Sequence, residues 1–253
     1  MGKQIVLSAL VSLFLLFAMI VTAIAQTRTA GVSVNDWFKY GNAAVYWSSN
    51  DPSATFPPPG YEALKEWNDT QWMRVDVTAI SGTNITGQSI THYKNGTETT
   101  SGGWVDVDTG DGVNQTMAFI SANLAAGDTI YNSGSYSTTR INETIPRTYA
   151  GGVRNTNHLN VSSIYIGDGA QISYSTNVYW DKSTGIVVEE SIGESNQTGA
   201  YTTTWSAWMG ITDSKVWVVP EFPTWTSTLL ILIVVTPAVL AIYKRRLLKT
   251  PIH

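Results

Sequence analysis

From Trp225 to Tyr243 the chain runs nineteen residues without a charge, then meets Lys244, Arg245 and Arg246 at once. At about 1.5 Å per residue such a run spans roughly 28 Å as a helix, close to the hydrocarbon thickness of a bilayer. Pro237 interrupts it, but membrane helices tolerate proline where the freed backbone groups find local partners. Cations crowd one flank, with Lys249 just beyond, while the other flank carries only Glu221. The positive-inside rule then places the carboxyl end in the cytoplasm and everything before 219 outside. The spacing predicts a transmembrane helix over 225–243 and a basic cytoplasmic tail over 244–253.

The amino end agrees with that topology. Lys3 precedes an apolar stretch from Ile5 to Ile24, and Ala23-Ile24-Ala25 supplies a small-x-small cleavage site. This is the layout of a secretory signal peptide over 1–25. The apolar part is longer than in most such peptides, which leaves an uncleaved signal anchor as the alternative. Either way, 26–218 is read as one extracellular domain, joined to the membrane by a proline-rich segment over 219–224.

Pro220-Glu221-Phe222, the apolar run and the basic cluster together resemble the PEF-type carboxyl-terminal sorting signals of archaeal surface proteins. The resemblance covers about 219–249. It implies a membrane-anchored surface protein whose tail is cut near the motif by an archaeosortase-like protease and passed to a lipid or another anchor. A retained helix with a stiff proline spacer is the plainer reading of the same residues. The resemblance implies no activity for the exposed domain.

Between the two apolar ends, 26–221 holds all 19 acidic residues against 10 of the 15 Lys and Arg, a formal charge of −9. That speaks against nucleic acid as a partner, since phosphate binding needs a basic face. The chain has no cysteine, so disulfides, thiolate metal sites and covalent haem attachment are excluded. An exported domain without disulfides must be held by its core, and nine of the ten tryptophans lie in this region to build it. Seven Asn-x-Ser/Thr sequons also lie here, at Asn68, Asn84, Asn95, Asn114, Asn142, Asn160 and Asn196. They number about twice what random placement would produce, and they predict N-glycosylation.

Strand patterns dominate the domain. Ile172, Tyr174, Thr176, Val178 and Trp180 alternate with Gln171, Ser173, Ser175, Asn177 and Tyr179, and Asp181 to Gly185 reads as a hairpin turn before a strand from Ile186. Tyr201 to Ile211 alternates likewise. Arg74 to Ile80, Ile85 to Tyr93 and Glu98 to Val107 form a meander with turns at 81–84 and 94–97. Met117 to Ser121, Thr139 to Ile145 and Val153 to Ile166 read as further strands, and 132–139 as a loop. After Pro57-Pro58-Pro59-Gly60, Tyr61 to Trp67 reads as one short helix able to cover an open sheet face. The expected fold is mainly β, a twisted antiparallel sheet in the form of a curved sheet, half-barrel or sandwich, with one short helix.

Candidate chemistry is sparse. Asp106, Asp108 and Asp111 form the densest carboxylate cluster, but an EF-hand counted from Asp106 would need other residues than Gly110, Asp111 and Met117 at its fifth, sixth and twelfth positions. A polar hairpin turn explains these residues better. His92 and His158 have no second histidine at ligand spacing, and no zinc motif or nucleophile elbow occurs. Glu189 and Glu190 are adjacent, so on a strand they face opposite sides and cannot act as a carboxylate pair. No enzyme and no cofactor is expected. Two readings stay open: a surface protein with a structural, adhesive or glycan- or protein-binding role, or a carrier of an apolar ligand in a groove of the curved sheet. The hairpin Tyr179-Trp180-Asp181-Lys182 with Thr184-Gly185-Ile186 resembles hairpins in lipid-carrying periplasmic proteins of the half-barrel type, which favours the carrier.

Overall fold

The computed structural model describes residues 27–217 except 116 and 168. The signal peptide, the Pro220-Glu221-Phe222 motif, the transmembrane helix and the Lys244-Arg245-Arg246 tail lie outside the described residues. Ten strands form one antiparallel curved sheet: β1 (Trp37–Ser49), β2 (Thr70–Ser81), β3 (Asn84–Tyr93), β4 (Glu98–Asp106), β5 (Gly112–Val113), β6 (Glu143–Tyr149), β7 (Gly152–Gly167), β8 (Ala170–Asp181), β9 (Val187–Thr198) and β10 (Tyr201–Ser214). One helix, α1 (Ala63–Asp69), sits between β1 and β2. The sandwich alternative is set aside, because all ten strands belong to a single sheet.

The order across the sheet is β5-β4-β3-β2-β1-β10-β9-β8-β7-β6. Two meanders run outward from the centre, and the first and last strands join them. Hairpins explain each half, since short polar turns at 81–84, 94–97 and 181–185 can only return the chain beside itself. Bulges in β1, at Lys39/Tyr40 and Gly41/Ala44, and in the β2–β3 ladder, at Val77/Ala79, add local twist. The bulge at Gly41 also explains why sequence alternation missed β1. Asn42 and Ala43 together oppose the single Met209, and this one extra residue breaks the period just where a strand should be read; Asn42 takes a positive φ of 55°.

One face of the sheet carries Phe38, Val75, Val77, Ile85, Val105, Val178, Trp180 and Ile211, all buried. The connection from β5 to β6, residues 114–142, covers much of that inner face. Phe119, Ile120, Leu124, Ile130 and Tyr131 along it have no exposed surface. The expected strand over Met117 to Ser121 is instead a crossing segment with a single bridge, Phe119 to Ile186. Its path needs a bare backbone beneath it: a Cβ on Gly103 would lie 2.3 Å from the Val113 carbonyl oxygen and 2.8 Å from Gln115. α1 covers the other end of the same face. Leu64 packs on Trp205 and Ala207, with Tyr61, Trp67, Val45 and Trp47 around it, two residues later in sequence than expected.

Phe119 meets Phe38 edge-on at 6.3 Å and ties the crossing segment to the sheet. Phe119→Ala should lower unfolding stability by about 3–5 kcal/mol, the range for deleting a buried phenyl ring. Urea titration followed by tryptophan fluorescence measures it.

Candidate functional site

Between the inner face, α1 and the crossing segment the packing is incomplete. A cavity of about 150 Å³ lies among Tyr40, Met73, Val75, Met117, Ala118, Val178, Val187 and Met209. A second of about 320 Å³ continues towards the helix, lined by Ala63, Glu66, Trp67, Thr70 and Thr91. Met73, Glu190 and Met209 belong to the walls of both, so the two form one groove along the inner face. Register explains the lining. Tyr40 pairs with Met73 on β2 and Ile211 on β10, and Met209 pairs with Glu190 on β9, which in turn faces Val178 on β8. These side chains therefore point the same way.

Glu190 is the unusual member. Among the described residues it makes no hydrogen bond or ion pair, and burial holds its carboxyl above the ordinary carboxylate range. Glu190 is half-buried, and the partial loss of solvent penalises its charged form, which is the cause of that upward shift. Nearby, the Tyr40 hydroxyl donates to the Val187 carbonyl at 2.9 Å. Burial, reinforced by the charge of Glu190, pushes the Tyr40 pKa far up, which keeps the hydroxyl a proton donor. The groove is thus apolar and methionine-rich, with the Glu190 carboxyl on its floor and Glu66 at its helix end. Methionine side chains adapt to ligands of irregular shape.

Glu189 faces the opposite surface, as adjacent strand residues must. Its carboxylate accepts hydrogen bonds from Arg147 Nη2 and the Tyr149 hydroxyl, each at 2.7 Å, and from Trp208 Nε1 at 3.2 Å. The Arg147 guanidinium lies 4.1 Å over the Tyr179 ring, and His158 stacks on that ring at 4.1 Å and 3°. Beside this array an outer cleft of about 550 Å³ is walled by Asn42, Arg147, Tyr149, Glu189 and Trp208. His92 and His158, the histidines among the described residues, both lie on this outer face. His158 also bonds Glu143 and Asn177, and His92 stacks on Trp72 and pairs with Glu98.

The remaining sequence candidates are elsewhere. Asp106 Oδ1 accepts the backbone N–H of Asp108 at 2.8 Å, Thr109 donates its hydroxyl to Asp111, and Asn132 donates to Asp108. Each carboxylate serves a separate donor in the turn, and among the described residues no three His, Asp or Glu side chains converge on a cation position. Of the sequon asparagines, Asn95, Asn114, Asn142 and Asn160 are exposed, whereas Asn68, Asn84 and Asn196 are half-buried. Sequence reasoning missed Met73, Met209, Arg147 and Tyr149, because only the register across distant strands gathers them. Glu190 had a visible signal, a carboxylate on the same strand face as Val188 and Ile192.

No known protein family and no curated protein matches the chain. Its function is read from the groove and the outer face themselves.

Glu190 yields a pH prediction. Its folded pKa lies above the ordinary value of 4.5, so between those two values the folded state holds a proton that the unfolded chain has lost. Stability is then greatest at low pH with respect to this group and falls as pH rises through the folded pKa. Glu190→Gln should remove that fall and raise the melting temperature near pH 7, as thermal melts from pH 4 to 8 would record.

Proposed function

We propose that the exposed domain is a ligand carrier: it holds an apolar molecule in the inner groove, with Glu190 meeting the ligand's one polar or cationic group. The observation that carries this reading is the Glu190 carboxyl, which has no hydrogen-bond or ion-pair partner among the described residues, on the floor of a methionine-lined groove. A packed structural core has no use for such a group, whereas a bound amine or hydroxyl would offset its desolvation. The larger cavity falls at the small end of the ligand-site range of roughly 300–1,000 Å³. The resemblance of the β8–β9 hairpin to those of half-barrel lipid carriers points the same way.

The experiment is displacement of an environment-sensitive apolar fluorophore from the delipidated chain. Met209→Trp, which fills the groove from β10, should weaken binding at least about tenfold while leaving the thermal melt cooperative. Equal binding by wild type and Met209→Trp would sink the proposal.

A second reading, surface recognition of glycan or protein, is favoured by the outer cleft, where Trp208 lies beside the fixed Arg147–Glu189 pair. Rings and planar polar groups held by their neighbours suit a polyhydroxylated partner. Filling the groove with Met209→Trp separates the two readings, since the outer cleft should be untouched by it.

The setting we propose is the cell surface, with the tail anchored in the bilayer or processed by an archaeosortase-like protease at Pro220-Glu221-Phe222. Asn95 and Asn142 are exposed and use their side-chain oxygens as acceptors, from Thr97 and from the Asn160 N–H. The amide nitrogens of Asn114 and Asn160 are instead committed, to the Gly102 carbonyl and to Asn177. Glycopeptide and intact-mass analysis of the native protein should therefore find Asn95 and Asn142 the most occupied sequons. Mature chains all ending at His253 would rule out tail processing.

A further inference from the structure

The two strands at one margin of the sheet are unequal. β7 runs sixteen residues, but β6 covers only Gly152 to His158. From Leu159 to Gly167 β7 has β8 on one side and, among the described residues, no strand on the other. The direction of its free groups can be read from the hydrogen bonds where β6 ends. Lys182 donates to the Asn155 carbonyl on the β8 side, whereas the His158 carbonyl accepts from Asn142 and the Asn160 N–H donates to Asn142 Oδ1 on the β6 side. Backbone groups alternate along a strand, and the β7–β8 register is unbroken from Thr156 to Gly167. Ser162, Ile164 and Ile166 therefore present both N–H and C=O outward from the sheet margin.

Nothing blunts this margin in the usual ways. The stretch 159–167 has no charge, no proline and no bulge. Beyond the buried Leu159 its apolar side chains are bare on both faces: Ile164 is 66% and Ile166 77% exposed on the outer face, and Val161 46% and Tyr165 54% on the inner. The opposite margin differs. β4 is also uncovered from Glu98 to Ser101, but that stretch carries a charge, and it ends where Asn114 bonds the Gly102 carbonyl.

We propose that Val161–Tyr165 pairs antiparallel with the same segment of a second copy of this chain, Ser163 opposite Ser163, joining two sheets margin to margin. Backbone donors and acceptors in this alternation fix the occupant as an extended strand. A two-fold copy supplies the same alternation in reverse, so the segment is its own complement. Charge selects the copy's approach as well. The domain is acidic elsewhere, so two copies repel across most surfaces, and this uncharged margin is where they meet without that cost. Pairing sets Val161 against Tyr165 of the copy on one face, and on the other places Ile164 opposite Ser162 with the two Ile164 side chains diagonal to each other. The margin begins where Asn142 caps the Asn160 N–H, so a glycan on Asn160 would stand at the mouth of the junction.

The test uses the full chain in detergent, where the absence of cysteine makes an introduced thiol unambiguous. Ser163→Cys should give an oxidised dimer, and light scattering should give two copies for the unmodified chain. Adding Ile164→Lys, which puts like charges on diagonal neighbours across the pair, should cut the cross-linked fraction at least about tenfold. Ile164→Pro, which removes an outward N–H, should do the same, and a cooperative melt confirms that each variant folds. Ser101→Cys on the β4 margin should not cross-link. A single copy at every concentration, a dimer indifferent to Ile164→Lys, or cross-linking through Ser101→Cys would each overturn the proposal.

Discussion

The pairing of β1 with β10 is the constraint on which the rest of the structure depends. Each meander alone is a set of local hairpins with one exposed central edge. Ten registered pairs along β1 and β10, from Phe38–Ser214 to Ser49–Thr203, fuse the two into one curved surface. The fusion also builds the groove. It sets Tyr40 between Met73 from one half and Ile211 from the other, and brings Met209 and Glu190 alongside. Because the contact joins residues more than 150 positions apart, its loop-closure entropy is large, and the crossing segment and α1 repay it by burying the inner face.

β9 divides the chemistry of the two faces. Its period of two sends Glu189 to the outer side and Glu190 to the inner. The outer carboxylate has three donors and is held rigidly; the inner one has none among the described residues. The same side chain therefore acts as a structural node on one surface and as an unsatisfied group on the other. Environment, rather than residue type, decides the role.

What the sequence revealed follows from range. Turns at 81–84, 94–97 and 181–185 are encoded by a few adjacent residues, so the hairpins β2–β3, β3–β4 and β8–β9 were legible. β1 was not, because Asn42 and Ala43 break its alternation in a bulge that only the ladder to β10 makes sense of. Met117 to Ser121 read as a strand because Phe119 and Ile120 are apolar, yet their burial comes from crossing the sheet rather than joining it. The groove was invisible for a stronger reason: no local pattern distinguishes Met73, Met209 and Glu190 until β1, β2, β9 and β10 are placed side by side.

The central position of β10 has a mechanical consequence. After Ser214 the described chain leaves the middle of the sheet, with Lys215 bonded to the Trp37 carbonyl and Trp217 buried 4.1 Å beneath the Arg154 guanidinium. A pull on the chain beyond Trp217 first meets that clamp and then loads β10 along its own axis. Ten pairs to β1 on one side and ten to β9 on the other resist together, in shear. A margin strand under the same force would unzip one pair at a time. A domain tethered by this end would thus take tension through its most strongly connected strand.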